Sequence, residues 1–361
     1  MQGVNPLDGK PPVPHGRGAV RNVKNRYDRR ETVPIPEALD SEDLEAGANP
    51  ATEWIEDRAR SIIAKNDSPD ISFDRSINPY RGCEHGCVYC FARPSHAWLD
   101  MSPGLDFETR ILFKSNAAEL LRRELASKSY RCAPIALGSN TDPYQPAERK
   151  LRITRSILEV LAEHDHPVTI VTKSALVTRD LDLLAPMARR RLAAVYVSVT
   201  TLDPALARTM EPRAASPARR VETLASVTAA GVPTGVLASP MVPGLNDAEL
   251  ESILEAAAGA GVRTAAYLLV RLPHEVKTIF VEWLETNFPT RAAKVLHQLR
   301  EMRGGALNDP RFGSRFTGQG PFAQLLQRRF EIACRRFGLD HDRTELDCSS
   351  FRPPGAQGSL F

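Results

Sequence analysis

Long apolar runs are missing from this sequence: nothing reaches the roughly 18 uninterrupted apolar residues that a membrane-spanning helix needs. Its first residues, MQGVNPLDGKPPVP, lack the apolar core of a secretory leader, so a cytoplasmic location without a membrane partner is expected. Strong net charge is missing too; at +3 the balance excludes few partners by itself. Cysteine is sparse, and three of the six residues fall within Cys83–Cys90, while Cys132, Cys334 and Cys348 are scattered. A disulfide scaffold would spread its cysteines evenly through a shorter secreted chain, so a reducing compartment and a clustered metal site fit better.

What is there reads as a soluble globular protein, 42% hydrophobic and 25% charged. The 361 residues allow one large α/β domain with extensions, or two smaller domains. Positive charge gathers near the start. Lys10, Arg17, Arg21, Lys24, Arg26, Arg29 and Arg30 face only Asp28. Such a segment suits an anionic partner or is simply a solvated arm, and Tyr27 is its one ring for base stacking.

The spacing divides the chain into four. Residues 1–70 form a basic, partly irregular extension, with one helix expected over residues 52–65 from the near-3.6 recurrence of Trp54, Ile55, Ala59, Ile62 and Ile63. Residues 71–275 alternate strands and helices. PIALGSN, VTIVTKS, LAAVYVSVT, PTGVLASP and AAYLLVRL are apolar, β-branched strands, and the helices between them include one opened by Ser216 and Pro217 and closed by Gly231. Near-continuous apolar strands are those of a parallel sheet buried on both faces. About six βα units would close fully or partly into a barrel, and a doubly wound open sheet shares the pattern. Either way the chemistry belongs to the loops after the strands' C-terminal ends. Residues 276–340 are helical, and residues 341–361 read as a flexible tail.

The segment INPYRGCEHGCVYCFARPSH places Cys83, Cys87 and Cys90 at C-x3-C-x2-C. Thiolates suit zinc or iron–sulfur. A structural zinc site needs a fourth ligand, which His85 or His96 would have to supply. Three thiolates on a four-iron cube leave one iron open to a substrate or cofactor. Gly82 and Gly86 allow the chain to wrap close to it, with amides turned to the sulfides.

This motif, with Tyr89 before its last cysteine, resembles the radical S-adenosylmethionine (radical SAM) signature. Together with GSNTDPYQPAERK, and more loosely to about residue 275, the text resembles the spore photoproduct lyase-related branch. The resemblance implies a partial (βα)6 TIM-like barrel with an N-terminal extension and C-terminal helices. It implies a [4Fe-4S] cluster on Cys83, Cys87 and Cys90, with S-adenosylmethionine chelating the open iron. It also implies a flavodoxin- or ferredoxin-like electron donor, and reductive cleavage to a 5′-deoxyadenosyl radical that takes a hydrogen atom from substrate.

By the same resemblance the end of the second strand meets the methionyl amine, making Ser139, Asn140 and Thr141 candidates, with a self-satisfied Asx or ST turn as the plain alternative. Ser198 and Thr200 end the fourth strand, where ribose or carboxylate is commonly met. Arg213 is a further cofactor candidate, against a surface ion pair with Glu211. Lys173 and Ser174 end the third strand, and Arg271, ending the sixth, suits a phosphate. One departure stands out. A spore photoproduct lyase proper returns hydrogen from a cysteine near the second strand, and GSNTDPY has none. Cys132 precedes that strand and reads as a small buried hydrophobe, and Tyr144 or Tyr196 would be a substitute donor.

The substrate expected from the branch and the basic segment is DNA, RNA or a nucleotide. A protein or small-metabolite substrate, and a non-enzymatic metal or iron–sulfur module, are the alternatives. The last residues, QGSLF, resemble the peptide by which bacterial repair proteins dock on the DNA sliding clamp. Leu360 and Phe361 would be its anchors and Gln357 its register, unless the two fold back on the chain's own core.

Overall fold

The computed structural model describes residues 14–28, 50–341 and 343–355. Lys10, Arg29 and Arg30 of the basic segment and the QGSLF end lie outside them.

Six parallel strands carry the fold: β3 (Arg75–Ile77), β6 (Ile135–Leu137), β7 (Val168–Thr172), β8 (Ala193–Ser198), β9 (Thr234–Met241) and β10 (Thr264–Leu269). They stand side by side in chain order, and β2 (Ile63–Lys65) adds an antiparallel edge beside β3. Between them run helices such as Ile153–Glu163, Leu181–Arg189, Pro217–Ala229 and Leu250–Gly259. The order never closes β10 onto β3, so this is the partial (βα)6 barrel, with an N-terminal extension and the helices Val276–Asn287, Pro289–Met302 and Gly320–Phe337 behind it. The apolar runs explain the sheet. Ile135, Leu137, Val168, Ile170, Val195 and Val236 are fully buried between it and the helix layer.

Local chemistry sets the helix ends. Pro217 takes the first turn of its helix and Ser216 the N-cap position, in extended geometry but without a side-chain hydrogen bond. Arg152, at a positive φ of 52°, separates the short helix Glu148–Leu151 from Ile153–Glu163. At the open edge, Phe330 of the last long helix packs on Tyr267 with ring centroids 4.8 Å apart, and Asp340 bridges to Thr264. This covers the β10 backbone, which would otherwise offer a pairing edge.

The expected helix over residues 52–65 is not there. Two strands replace it: β1 (Glu53–Glu56), parallel to β5 (Arg110–Phe113), and β2. β5 also pairs with β4 (Tyr80–Arg81), making a second small sheet. The apolar positions that mimic a helical period serve separate ends. Trp54 is exposed with the Lys150 ammonium 5.0 Å over its ring, whereas Ile62 is buried in the main core. Glu124 accepts the amides of Ile62 (2.7 Å) and Ile63 (3.1 Å), which an α-helix would have given to its own carbonyls.

The basic segment is strapped to the body by carboxylates. Arg21 pairs with Glu282 and Arg26 with Glu275, while Arg17 donates to the carbonyls of Glu108 and Pro50. Ala19 and Val23 pack with Ile279. At these positions the free-arm reading is corrected: three arginines that look available to an anionic partner are spent on the protein itself.

Two histidines are buried as neutral rings. His166 lies between the Tyr130 hydroxyl (2.7 Å) and the Pro167 carbonyl (3.0 Å), and His96 meets the Arg110 carbonyl at 3.1 Å. Burial penalises the imidazolium and lowers both from the ordinary 6.5 to about 4. Between those values the unfolded chain binds more protons than the folded one, so their contribution is complete above pH 6.5 and drains away as the pH falls toward 4. Thermal stability should fall through that window, and less steeply in His166→Gln. A melting temperature flat across it would contradict neutral burial.

Candidate active site

The cysteine loop leaves β4 through Gly82 and turns again at Gly86, both at positive φ (83° and 69°). Inside it, Gly86 donates to the Cys83 carbonyl and Cys90 to that of Cys87, while Cys83 donates to Phe107. Its back is held by Arg93, fully buried in the 3-10 helix Arg93–Leu99. The guanidinium donates to the carbonyls of Cys87 (2.9 Å), Gly86 (3.1 Å), Pro103 (3.0 Å) and Gly104 (2.9 Å), and to the buried carboxylate of Glu108. Glu108 also accepts the amides of Gly18 (2.9 Å) and Ala19 (2.8 Å), so the strap seals the outside of the loop. Gln145 holds the near side, accepting from the Glu84 amide and donating to the Gly82 carbonyl.

The inner face of the loop opens on a pocket at the strands' C-terminal ends. Cys83, Cys87 and Cys90 all line it, with Tyr89, His85 and Phe91. The same pocket is lined by Gly138 and Asn140 after β6, Thr172 and Lys173 at the end of β7, Ser198 ending β8, Ser239 and Pro240 on β9, and Arg271 after β10. Burial raises all three thiols, Cys87 to about 12, so each keeps its proton until a metal displaces it. Among the described residues no three His, Cys, Asp or Glu side chains converge on a point that would hold a single ion. All three thiols line the same pocket, the donor set that a four-iron cube with one open corner would use. His96, one of the two candidate fourth ligands for zinc, gives its Nε2 to the Arg110 carbonyl and does not line the pocket.

Of the expected cofactor contacts, Asn140 and Ser198 line the pocket, and Ser139, Thr141 and Arg213 do not. Ser139 meets Asn78 at 3.4 Å, and Thr141 is buried, donating to the Tyr80 carbonyl at 2.9 Å. Arg213 pairs with Glu84 at 3.3 Å and donates to Thr52. The Ser198 hydroxyl donates to the Ser239 carbonyl at 2.8 Å. Tyr144 is buried, donating to Asp180, and Tyr196 sits under Arg343; neither reaches the pocket. Cys132 is half-buried beside Cys348, and burial with that neighbour pushes it up to about 12.

The electrostatics of the pocket escape sequence reasoning. Burial opposes the charge on Lys173, but anionic neighbours, the Glu211 carboxylate and the Cys87 sulfur once deprotonated, outweigh it and raise the ammonium above its ordinary value. Glu211 does not pair with Arg213 at the surface. It is buried among Arg220, the Tyr89 hydroxyl and Thr200, whose Oγ1 donates at 2.8 Å. Burial alone would raise its pKa, yet the charges of Arg220 and Lys173 and the bonds from Tyr89 and Arg220 hold it at about 2. Asp142 ties two strand ends together, accepting from Tyr144 in an Asx turn and from Thr172 Oγ1 and the Lys173 amide, both at 2.7 Å. The one sequence signal for this network is that Glu211 and Lys173 each follow a strand in loops that carry polar residues.

Residues 77–257 match the family model described as the radical SAM superfamily. A protein of Mycobacterium tuberculosis, itself carrying only the name uncharacterised, is 38% identical over 221 residues, 61% of this chain. The match spans 65% of that relative, a little under two thirds. The radical SAM Nalpha-GlyT isomerase of Pseudomonas phage M6 is 24% identical over 262 residues, 72% of this chain and 52% of the phage protein. Spore photoproduct lyase complexed with dinucleoside spore photoproduct superposes with a TM-score of 0.56 at 16% identity, covering 79% of each chain, which shows a shared fold.

Two substitutions test the packing around the loop. A Cβ on Gly18 would lie 1.8 Å from the Gly86 carbonyl oxygen, whereas one on Gly259 meets nothing within 4 Å. Gly18→Ala should cost about 1–3 kcal/mol and hasten tryptic cleavage at Arg21, while Gly259→Ala stays at wild-type stability or above. Equal melting curves for the two would refute the strap's seating. Glu211→Leu leaves Arg220 and Lys173 buried without their counter-charge and should cost about 3–5 kcal/mol in urea unfolding, against about 1 kcal/mol for Tyr89→Phe. A leucine variant as stable as the phenylalanine one would show that the carboxylate does not balance those cations.

Proposed function

The chain belongs to the radical SAM superfamily, and on that premise we propose that it is an enzyme that cleaves S-adenosylmethionine reductively to act on a nucleic acid or nucleotide. Residues 71–275 are the catalytic unit in this reading, and Cys83, Cys87 and Cys90 hold a [4Fe-4S] cluster. The observation that carries it is that the three thiols line one pocket together with Lys173, Asn140 and Ser198. When bound, cluster and cofactor together supply one-electron cleavage of a sulfonium and abstraction of a hydrogen atom from substrate.

The chain's own residues do the holding. The Lys173 ammonium is a counter-charge for a carboxylate, in a site dry enough for that charge to act strongly. Asn140 offers both a donor and an acceptor for an amine and its neighbours, and Ser198 keeps its acceptor lone pairs for a hydroxyl. Tyr89, locked through Glu211, presents a ring face. Val171, Leu237 and Leu269 complete an apolar lining that keeps water from a reactive species. Placement in the spore photoproduct lyase-related branch belongs to this reading and rests on INPYRGCEHGCVYCFARPSH and GSNTDPYQPAERK, the likeness to that lyase's structure being one of fold. GSNTDPY has no cysteine, and Tyr144 and Tyr196 lie off the pocket, so the reading stops short of the lyase's own reaction. A flavodoxin- or ferredoxin-like donor and a clamp contact through QGSLF belong to the same proposal.

Anaerobic reconstitution tests it. The protein should take up about four irons and release 5′-deoxyadenosine from S-adenosylmethionine with dithionite. Cys83→Ala, Cys87→Ala and Cys90→Ala should each abolish this, and Cys132→Ala, Cys334→Ala and Cys348→Ala should not. Stoichiometric zinc without cleavage, or full activity in any of the first three variants, would overturn the assignment.

A further inference from the structure

Rings and guanidiniums alternate outward from the pocket, whose lining includes Phe91, Arg271 and Phe316. The Arg271 guanidinium lies 5.9 Å from the Phe91 ring and 5.0 Å from that of Phe316. Arg315 follows, 4.8 Å from Phe316 and 4.7 Å from Phe312. The five side chains come from three parts of the chain: the residue after Cys90, the end of β10, and the turn around the short helix Ser314–Thr317. Phe91 and Phe312, the two outer rings, are 49% and 59% exposed.

The two cations differ. Arg315 is neutralised by Asp70, which accepts its Nε at 2.7 Å and also an NH2 hydrogen. Arg271 is not: its Nε is buried and has no hydrogen-bond partner among the described residues. Burial and the neighbouring Arg315 disfavour its charge more than the nearby Asp70 favours it. A buried donor left unmet costs stability, and the cost is recovered when an anion arrives. Large exposed rings at the rim of a reactive pocket carry a similar cost, which a planar ligand removes.

We propose that this ladder is the substrate subsite, that Arg271 takes a phosphodiester of single-stranded DNA, and that Phe91 and Phe312 stack its unpaired bases. The inference rests on the nucleic-acid reading above and deepens it. Alternating cation and ring suits a strand that alternates phosphate and base. A duplex hides its base faces within its own stack, so rings cannot reach them unless a base is extruded. None of the five side chains offers an acceptor to a 2′-hydroxyl, and the Arg271 donors are taken by the phosphodiester, so the ladder gives RNA no advantage over DNA.

The test is fluorescence anisotropy on the full chain with labelled single-stranded DNA, its duplex and the matching RNA, across a salt series. Single-stranded DNA should bind at least tenfold tighter than duplex, and RNA no tighter than DNA. Phe312→Ala, at an exposed tip that bears little load, should weaken single-strand binding about tenfold. Arg271→Gln should also flatten the salt slope by about 0.7. Melting curves verify that each variant is folded. Wild-type affinity and slope in both variants would overturn the subsite while leaving the nucleic-acid reading standing, as would a preference for duplex or for RNA. Failure of the wild-type protein to bind any of the three at low salt would overturn that reading and the subsite with it.

Discussion

Arg93 and Glu108 meet where no water reaches, and the cysteine loop takes its shape from them. A guanidinium has five N–H donors. Here the five go to the carbonyls of Gly86, Cys87, Pro103 and Gly104 and to the carboxylate. The carboxylate's remaining capacity goes to the amides of Gly18 and Ala19. A buried ion pair is a poor source of net stability, because desolvation consumes most of the attraction. Its value lies in specificity. With each donor assigned, the loop has one arrangement in which no charge is orphaned, and that arrangement turns the three thiols inward.

Much of the fold is legible because its signals are local. The strands after residue 130 are short β-branched runs between polar turns, and their parallel pairing follows from burial on both faces. Ser216, Pro217 and Gly231 mark a helix from both ends. Cys83, Cys87 and Cys90 stand out by their spacing, and all three line the pocket. Residues 52–65 mislead for the opposite reason. The partner of β1 is β5, 57 residues on from Glu53 to Arg110, and no local period encodes that pairing. Ile62 and Ile63 look like a helical face, but their amides are claimed by Glu124.

The site divides along the same line. Asn140 and Ser198 are found by asking which polar residues end strands, and the structure puts both in the pocket. The same question also picks Ser139 and Thr141, since neighbouring residues in a turn point different ways and a sequence does not say which. Glu211 and Arg220 are harder still. Buried charges are rare, so an acid in a long loop reads as solvated until its partner is seen, and the partner here is Arg220 in the first turn of the following helix. The arginines of the N-terminal segment fail similarly: Glu275 and Glu282, which neutralise two of them, are some 250 residues off.

The reach of these contacts along the chain has a temporal side. Arg93 meets Glu108 over 15 residues, whereas Tyr89 waits for Glu211 across 122. At a synthesis rate of about 5–20 residues per second, that second partner follows the cysteine loop by roughly 6–24 s. By then the residues that clamp the loop from behind, and the lining residues up to Ser198, have been made, while Ser239, Pro240 and Arg271 are still to come. The three sulfhydryls are thus synthesised well before the last residues that enclose them.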